Sequence, residues 1–293
     1  MRKRFVIAAA LVLGVIAAML GVNTARNAAG WQPVTQTPAE RLALLAPRWR
    51  LIQPEGAGPF RAAILMSGCD GVHDNMDLWA RQMVALGRAA LIVDSHGPRG
   101  LDRMQSWRAV CAAQLLTGAE RAGDIAVAQA ALAAMPQIDP RDMLLLGASH
   151  GGWSVMEYLD LLDSGDLPPG LGQWPVPAER LAAGIGPVVL LYPYCGVISR
   201  AGDAEWPAHV RALMILSSED RIVDTAKCET MAQGLIAGGA DIRLSVLQGA
   251  DHGFDQREHS VLSSLAYVQD YVDQTAALID EFVRGAEVAA AGD

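Results

Sequence analysis

Leu144-Leu145-Leu146-Gly147-Ala148-Ser149-His150-Gly151-Gly152 is the stretch on which the reading of this chain turns. Three leucines make a short apolar strand that stops at a glycine, and a helix-compatible stretch, 153–162, follows Gly152. Between them lies G-x-S-x-G, the pattern that sets a serine on a strained strand-to-helix turn. Glycines two residues either side let the strand and helix backbones approach. A plain strand–turn–helix with a serine N-cap would use the same residues. Other residues must separate the two, because a serine hydroxyl is a poor nucleophile without a base, and the base needs an orienting acid.

Apolar runs at 62–66, 89–94, 143–146, 188–192, 212–216 and 243–247 each end in Gly, Ser, Asp or Pro, as buried parallel strands do. Helical patterns lie between them at 77–86, 120–134, from Ser149 onward, at 225–237 and at 262–283. Alternation of this kind predicts one α/β domain, a mostly parallel sheet with helices on both faces and ligand chemistry at the carboxyl ends of the strands. The segment 163–187, with five prolines, breaks the alternation. It reads either as an excursion capping a pocket or as a solvated surface loop.

In such an order the acid and then the histidine should follow the serine, each just past a later strand. The run 212–216 leads into Ser217-Ser218-Glu219-Asp220, and 243–247 into Gln248-Gly249-Ala250-Asp251-His252-Gly253-Phe254. Asp220 is the expected acid, with Glu219 and Asp224 as competitors and Asp224 placed to cap the next helix. His252 is the expected base, since His259 falls in a charged stretch. The oxyanion of acyl transfer needs two backbone N–H donors. These are expected from His150, after the serine, and from Cys69 in the loop Ser67-Gly68-Cys69-Asp70-Gly71. That loop also reads as an ordinary glycine turn.

The chain has 293 residues, 52% hydrophobic, with 32 acidic against 23 basic residues and a formal charge of -9. Without a basic excess to neutralise phosphates, nucleic acid is excluded as a partner. Arg2, Lys3 and Arg4 precede the uncharged apolar stretch 5–22, and small and polar residues follow. Residues 1–27 therefore read as an export signal or an uncleaved membrane anchor, a buried core helix being the third option. Removing Arg2, Lys3 and Arg4 leaves 20 basic against 32 acidic residues, about -12, and the remaining domain, 28–293, is expected in the periplasm or outside the cell. Its cysteines, Cys69, Cys111, Cys195 and Cys228, form no CxxC pair and lack zinc-finger spacing. They read as two disulfides in an oxidising compartment, with three connectivities open, or as buried thiols.

Taken together, these motifs resemble the dienelactone hydrolase family of α/β-hydrolases, in particular its exported bacterial members. The matching pieces are the 67–71 loop, Asp94-Ser95-His96-Gly97-Pro98-Arg99-Gly100, 147–152, Tyr192-Pro193-Tyr194-Cys195, Glu219-Asp220 with Val223, and 250–255, in order over residues 60 to 283. The resemblance implies an α/β-hydrolase fold and an esterase without metal or organic cofactor, with Ser149, His252 and Asp220 as nucleophile, base and orienter. Two residues depart from the family pattern. Serine replaces the nucleophilic cysteine at Ser149, which favours ordinary esters over dienelactone, and Ser67 stands where the family has histidine. Neighbouring loops would pair Cys69 with Cys111 and Cys195 with Cys228. His96 and Arg99 are candidate contacts for an acidic substrate group, a structural ion pair of Arg99 being the alternative.

The expected function is hydrolysis of small-molecule carboxylic esters through an acyl-enzyme. A peptidase or acyltransferase on the same triad is the alternative, as is a non-catalytic binding protein that keeps the fold.

Overall fold

The computed structural model describes residues 2–201, 206–259 and 263–290. Seven strands form one sheet in the order β1-β3-β2-β4-β5-β6-β7. They are β1 (Arg50–Ile52), β2 (Phe60–Met66), β3 (Ala89–Val93), β4 (Ile138–Ala148), β5 (Ile185–Leu191), β6 (Arg211–Ser217) and β7 (Asp241–Leu247). All pairings are parallel except that of β1 with β3. Each expected apolar run is present. The fourth strand is longer than its apolar part because 138–142, with Pro140 and three charged residues, pairs with the start of β2 before a register shift.

Helices are α1 (Arg2–Ala28), α2 (Pro38–Leu45), α3 (Asp74–Ala85), α4 (Arg103–Gln105), α5 (Gly118–Ala133), α6 (His150–Ser164), α7 (Ala178–Ala183), α8 (Thr225–Ala237) and α9 (Gln269–Ala290). On one face of the sheet Ile125, Val155, Leu159 and Cys228, from α5, α6 and α8, pack against Ile64, Leu145 and Met214. On the other, Trp79, Met83, Ile279 and Phe282, from α3 and α9, pack against Leu65, Leu146 and Leu213. The last helix starts at Gln269 rather than 262, and Leu262 lies outside the described residues. The apolar window of α1 has a mean hydropathy of 2.8 and none of it is buried.

The sequence reading missed β1 and α2, and it left 163–187 unresolved. That segment joins the far end of α6 to the start of β5, at the edge of the sheet opposite the carboxyl ends. There Gly170 O accepts from Gln36 N (3.0 Å) and from Arg41 (2.9 Å), and Leu181 O accepts from Gln129 (2.7 Å). Its prolines terminate helices without sending the chain over the site.

Successive strands from β2 run one way to β3, while those from β4 run the other way to β7. The loops after β2 and β4 therefore face each other across the point where the winding reverses, where an open α/β sheet leaves a crevice.

Candidate active site

Ser149 stands between β4 and α6 with φ 54° and ψ −117°, a conformation that costs an L-residue on the order of 1–3 kcal/mol. Neighbouring glycines make the turn possible. A Cβ on Gly151 would lie 2.1 Å from the Met66 carbonyl oxygen, and one on Gly147 would lie 2.4 Å from that of Gly151. The Ser149 N–H donates to Leu191 O (2.8 Å), which pins the turn to β5.

Ser149 Oγ lies 2.9 Å from Nε2 of His252, and Nδ1 of His252 lies 2.7 Å from Oδ2 of Asp220. The other carboxylate oxygen of Asp220 accepts from the backbone N–H groups of Ile222 (2.8 Å) and Val223 (2.7 Å). An acid held this way accepts the Nδ1 proton, which leaves Nε2 free to accept from the serine hydroxyl. Both side chains are nearly buried, at 8% and 2% exposure. Asp224 caps α8 through Lys227 N, as its position suggested. His259 lines the same cavity but is not hydrogen-bonded to the serine.

Two residues that sequence reasoning missed fix the histidine. The ring of Tyr192 meets that of His252 edge-on, with centroids 4.8 Å apart. Its hydroxyl donates to Asp255 (2.5 Å), whose other oxygen accepts from Trp79 Nε1 (2.6 Å). Burial raises the Asp255 carboxyl above its usual range, against the lowering effect of those two bonds. Tyr192 and Asp255 both lie inside motifs read for other reasons, so periodicity gave no separate signal for their pairing.

His150 opens α6, where a helix N–H has no intrahelical acceptor, and Cys69 lines the cavity beside Ser149. Fully buried Arg121, also unforeseen, donates to Ser67 O (2.9 Å) and to His150 Nδ1 (3.0 Å). Burial lowers its pKa to about 10, so it is charged at neutral pH. Burial first, and Arg121 second, hold the His150 imidazole well below its usual value.

His96 and Arg99 are bonded into the interior beneath the loops. Burial, then Arg121, pushes His96 down to about 3, so its ring is neutral and Nε2–H donates to Cys69 O (3.1 Å). Arg99 makes a two-pronged ion pair with Asp124 (2.8 and 2.9 Å), which also binds Arg41 (2.7 Å). Burial would raise the Asp124 carboxyl, but Arg99 and Arg41 hold it at about 2. The structural ion pair of Arg99 is therefore what the fold contains. Arg41 and Arg99 thus share one buried carboxylate.

Cys69 is bonded to Cys111, and Cys195 to Cys228, with Cα separations of 4.9 and 5.2 Å. The cavity over Ser149 has a volume of about 510 Å³. Gly68, Asp70, Trp107, Tyr192, Ile222 and Leu265 are among its lining residues. None of them comes from 163–187, so that segment forms no cap here; the covering side chains come from the stretch after β3 and from Gln256, His259, Ser263 and Leu265. Trp79 and Trp153 are core residues, and Trp107 is the tryptophan in the cavity wall. No group of three or more His, Cys, Asp or Glu converges as metal ligands would among the described residues.

No protein-family model matches the chain, and no curated protein does. Solved structures do. A dienelactone hydrolase from Klebsiella pneumoniae is similar with a TM-score of 0.58 at 18% identity, over 79% of this chain and 90% of that one. A dienelactone hydrolase-like promiscuous phosphotriesterase from metagenomic libraries gives 0.58 at 17% identity, over 81% and 92%. Esterase 2 of Thermogutta terrifontis, phosphonylated by cyclosarin, gives 0.59 at 15% identity, over 81% and 88%. The fold is that of the α/β-hydrolases.

Proposed function

We propose that this protein is a serine hydrolase of carboxylic esters, akin to the dienelactone hydrolases, with Ser149, His252 and Asp220 as its triad. The observation that carries the reading is the relay from Oγ of Ser149 through His252 to Asp220, with 2.9 and 2.7 Å steps on a serine held at φ 54°.

In the proposed reaction the Ser149 hydroxyl attacks the ester carbonyl while Nε2 of His252 takes its proton. The N–H groups of Cys69 and His150 hold the oxyanion, and Asp220 stabilises the imidazolium. The acyl–oxygen bond then breaks, and His252 returns the proton to the leaving alcohol. Water, deprotonated by the same imidazole, adds its OH to the acyl group and restores the serine. No step needs a cofactor. Asp70 and Arg108 both stand on the cavity wall, and the Asp70 carboxyl, which burial would raise, is lowered by its bond to His73, 3.0 Å away, and by that residue's charge.

Two disulfides and the apolar N-terminal helix support a single domain, 28–293, delivered to an oxidising compartment outside the cytoplasm. The test is hydrolysis of p-nitrophenyl acetate and butyrate by the wild type beside Ser149→Ala. Turnover that disappears in the variant, with a fluorophosphonate label on Ser149, supports the proposal. Equal turnover in both defeats it. Peptide cleavage, or acyl transfer to added alcohols, would redirect it to the other chemistries of the same triad.

A further inference from the structure

Residues that follow the apolar helix are built into the folded domain. Asn27 is buried, and its side-chain amide donates to the carbonyls of Ala113 (2.9 Å) and Gln114 (3.1 Å). Asn23 donates to the same Gln114 carbonyl (2.7 Å), and the Gln114 amide donates to the Thr24 hydroxyl (2.9 Å). Farther along, Arg200 donates to Ala28 O (2.6 Å). A cut after Asn27 would take away the side-chain donors of two main-chain carbonyls, whereas a cut before it would leave both bonded to Asn27.

The direction of this segment matters as much as its bonds. Ala113 and Gln114 precede α5 on the connection from β3, at the carboxyl edge of the sheet. From there the chain passes along α6 to Gly30, where a Cβ would lie 3.3 Å from Pro169, beyond the far end of that helix. Residues 23–30 thus run away from the carboxyl edge, and the part of α1 before Asn23 lies on the other side of that contact, past the edge that carries Ser149. Eighteen apolar residues, 5–22, span about 27 Å as a helix, close to the hydrocarbon thickness of a bilayer. A bilayer around α1 begins within a turn of Asn23.

Large apolar side chains stand exposed among the charged ones on the same edge. Trp107 and Ile222 on the cavity wall are each 63% exposed, and Met104, Leu115 and Val197 are exposed on neighbouring loops. Leu115 follows the Gln114 that binds Asn23 and Thr24. Tryptophan and aliphatic side chains on loops at this depth suit the headgroup boundary. A domain charge of about -12 leaves insertion, not attraction to anionic lipid, as the means of contact.

We infer that α1 is retained as an anchor, and that its docking on Ala113 and Gln114 holds the mouth of the Ser149 cavity against the bilayer surface. The site then takes amphiphilic esters that reside in the facing leaflet. The ester chemistry rests on the function proposed above; the placement does not.

The test uses the full chain in phosphatidylcholine vesicles. Brominated phosphatidylcholine should quench its tryptophan fluorescence, and Trp107→Phe should remove at least half of that quenching. The double variant Asn23→Ala/Asn27→Ala should hydrolyse 4-methylumbelliferyl oleate dissolved in the vesicles at least fivefold more slowly, while p-nitrophenyl butyrate in solution is turned over within twofold of wild type. Quenching unchanged in Trp107→Phe overturns the placement, as does protein from host membranes that begins beyond residue 28. Equal losses on both esters overturn the role of the docking. Quenching as expected without butyrate hydrolysis supports the placement and counts against the hydrolase reading alone.

Discussion

Arg121 donates to Nδ1 of His150 across 3.0 Å, from a position with no exposure to solvent. Because the same guanidinium holds Ser67 O, one side chain ties the residue after Ser149 to the loop that carries Cys69. Those are the two sides of the proposed oxyanion site. Preorganised donors are worth most when nothing about them must move as charge develops.

Arg121→Lys removes the fork that reaches both acceptors while keeping the charge. We expect kcat for p-nitrophenyl butyrate to fall by roughly 10–100-fold, less than the roughly 100–1,000-fold of losing an oxyanion donor outright, because Arg121 positions the donors and is not one of them. KM should stay within about threefold, since the ground-state ester makes little use of these N–H groups. Steady-state kinetics on a variant shown folded by near-UV circular dichroism checks this, and an unchanged kcat would leave Arg121 a structural residue only.

Ser149→Ala should abolish esterase turnover by several powers of ten without unfolding the protein. Alanine keeps the Cβ that makes φ 54° costly, whereas glycine does not. Ser149→Gly should therefore unfold at a temperature equal to or above that of Ser149→Ala, against glycine's usual penalty. Differential scanning calorimetry of the two inactive variants measures it.

Acid should weaken the fold before the carboxylates titrate. His96, at about 3, and His150, well below its usual value, are neutral in the folded state. In the unfolded chain each takes up a proton near pH 6.5. Below that pH the unfolded state binds more protons, so stability is full above about 6.5 and declines as pH falls towards the folded values. The slope is up to about 1.4 kcal/mol per pH unit for each ring. Asp124, held at about 2, adds its loss only below about pH 4. His73 and the raised carboxyls of Glu120, Glu157 and Asp255 bind protons more tightly in the folded state and act in the opposite sense. The loss carried by His96 is therefore read by difference: urea midpoints between pH 7.5 and 4.5 should fall more in the wild type than in His96→Asn, and equal profiles would contradict the burial of that imidazole.

The two disulfides should separate by function. Each closes a loop of tens of residues, with sequence separations of 42 and 33, worth about 4 kcal/mol in the chain-entropy model. Cys69→Ser/Cys111→Ser should lower kcat as well as stability, because Cys69 carries a proposed oxyanion donor. Cys195→Ser/Cys228→Ser should lower stability and leave kcat within about threefold. Kinetics and chemical denaturation on both double variants settle the comparison.

The parallel strands and the serine turn were legible because burial on both faces leaves continuous apolar runs, and because a Cβ at Gly147 or Gly151 cannot fit. Asp220 and His252 were legible by order, each following its strand. The edge strand Arg50–Ile52 was not, being three half-exposed residues with no period to detect. Nor was Arg121, which sits in a helix among charged neighbours and reaches the site through contacts 29 and 54 residues away. For His96 and Arg99 the place after a strand left a substrate contact and a structural ion pair both open, because local sequence carries no sign of whether a charge on such a loop turns outward or, as Arg99 does, finds Asp124 beneath it.

The cysteine pairs also bear on how the protein is made. Cys69–Cys111 and Cys195–Cys228 follow one another along the chain without overlap. In a chain that emerges from its N-terminus, the first thiol to arrive after Cys69 is its native partner, and the first after Cys195 is likewise. Simple oxidation in order of emergence yields the native pattern, with no exchange step to undo a wrong bond. Ser149 emerges between the two closures, 103 residues ahead of His252. The proposed nucleophile thus spends its passage without its proposed base, and the triad is complete only once the last strand of the sheet has emerged.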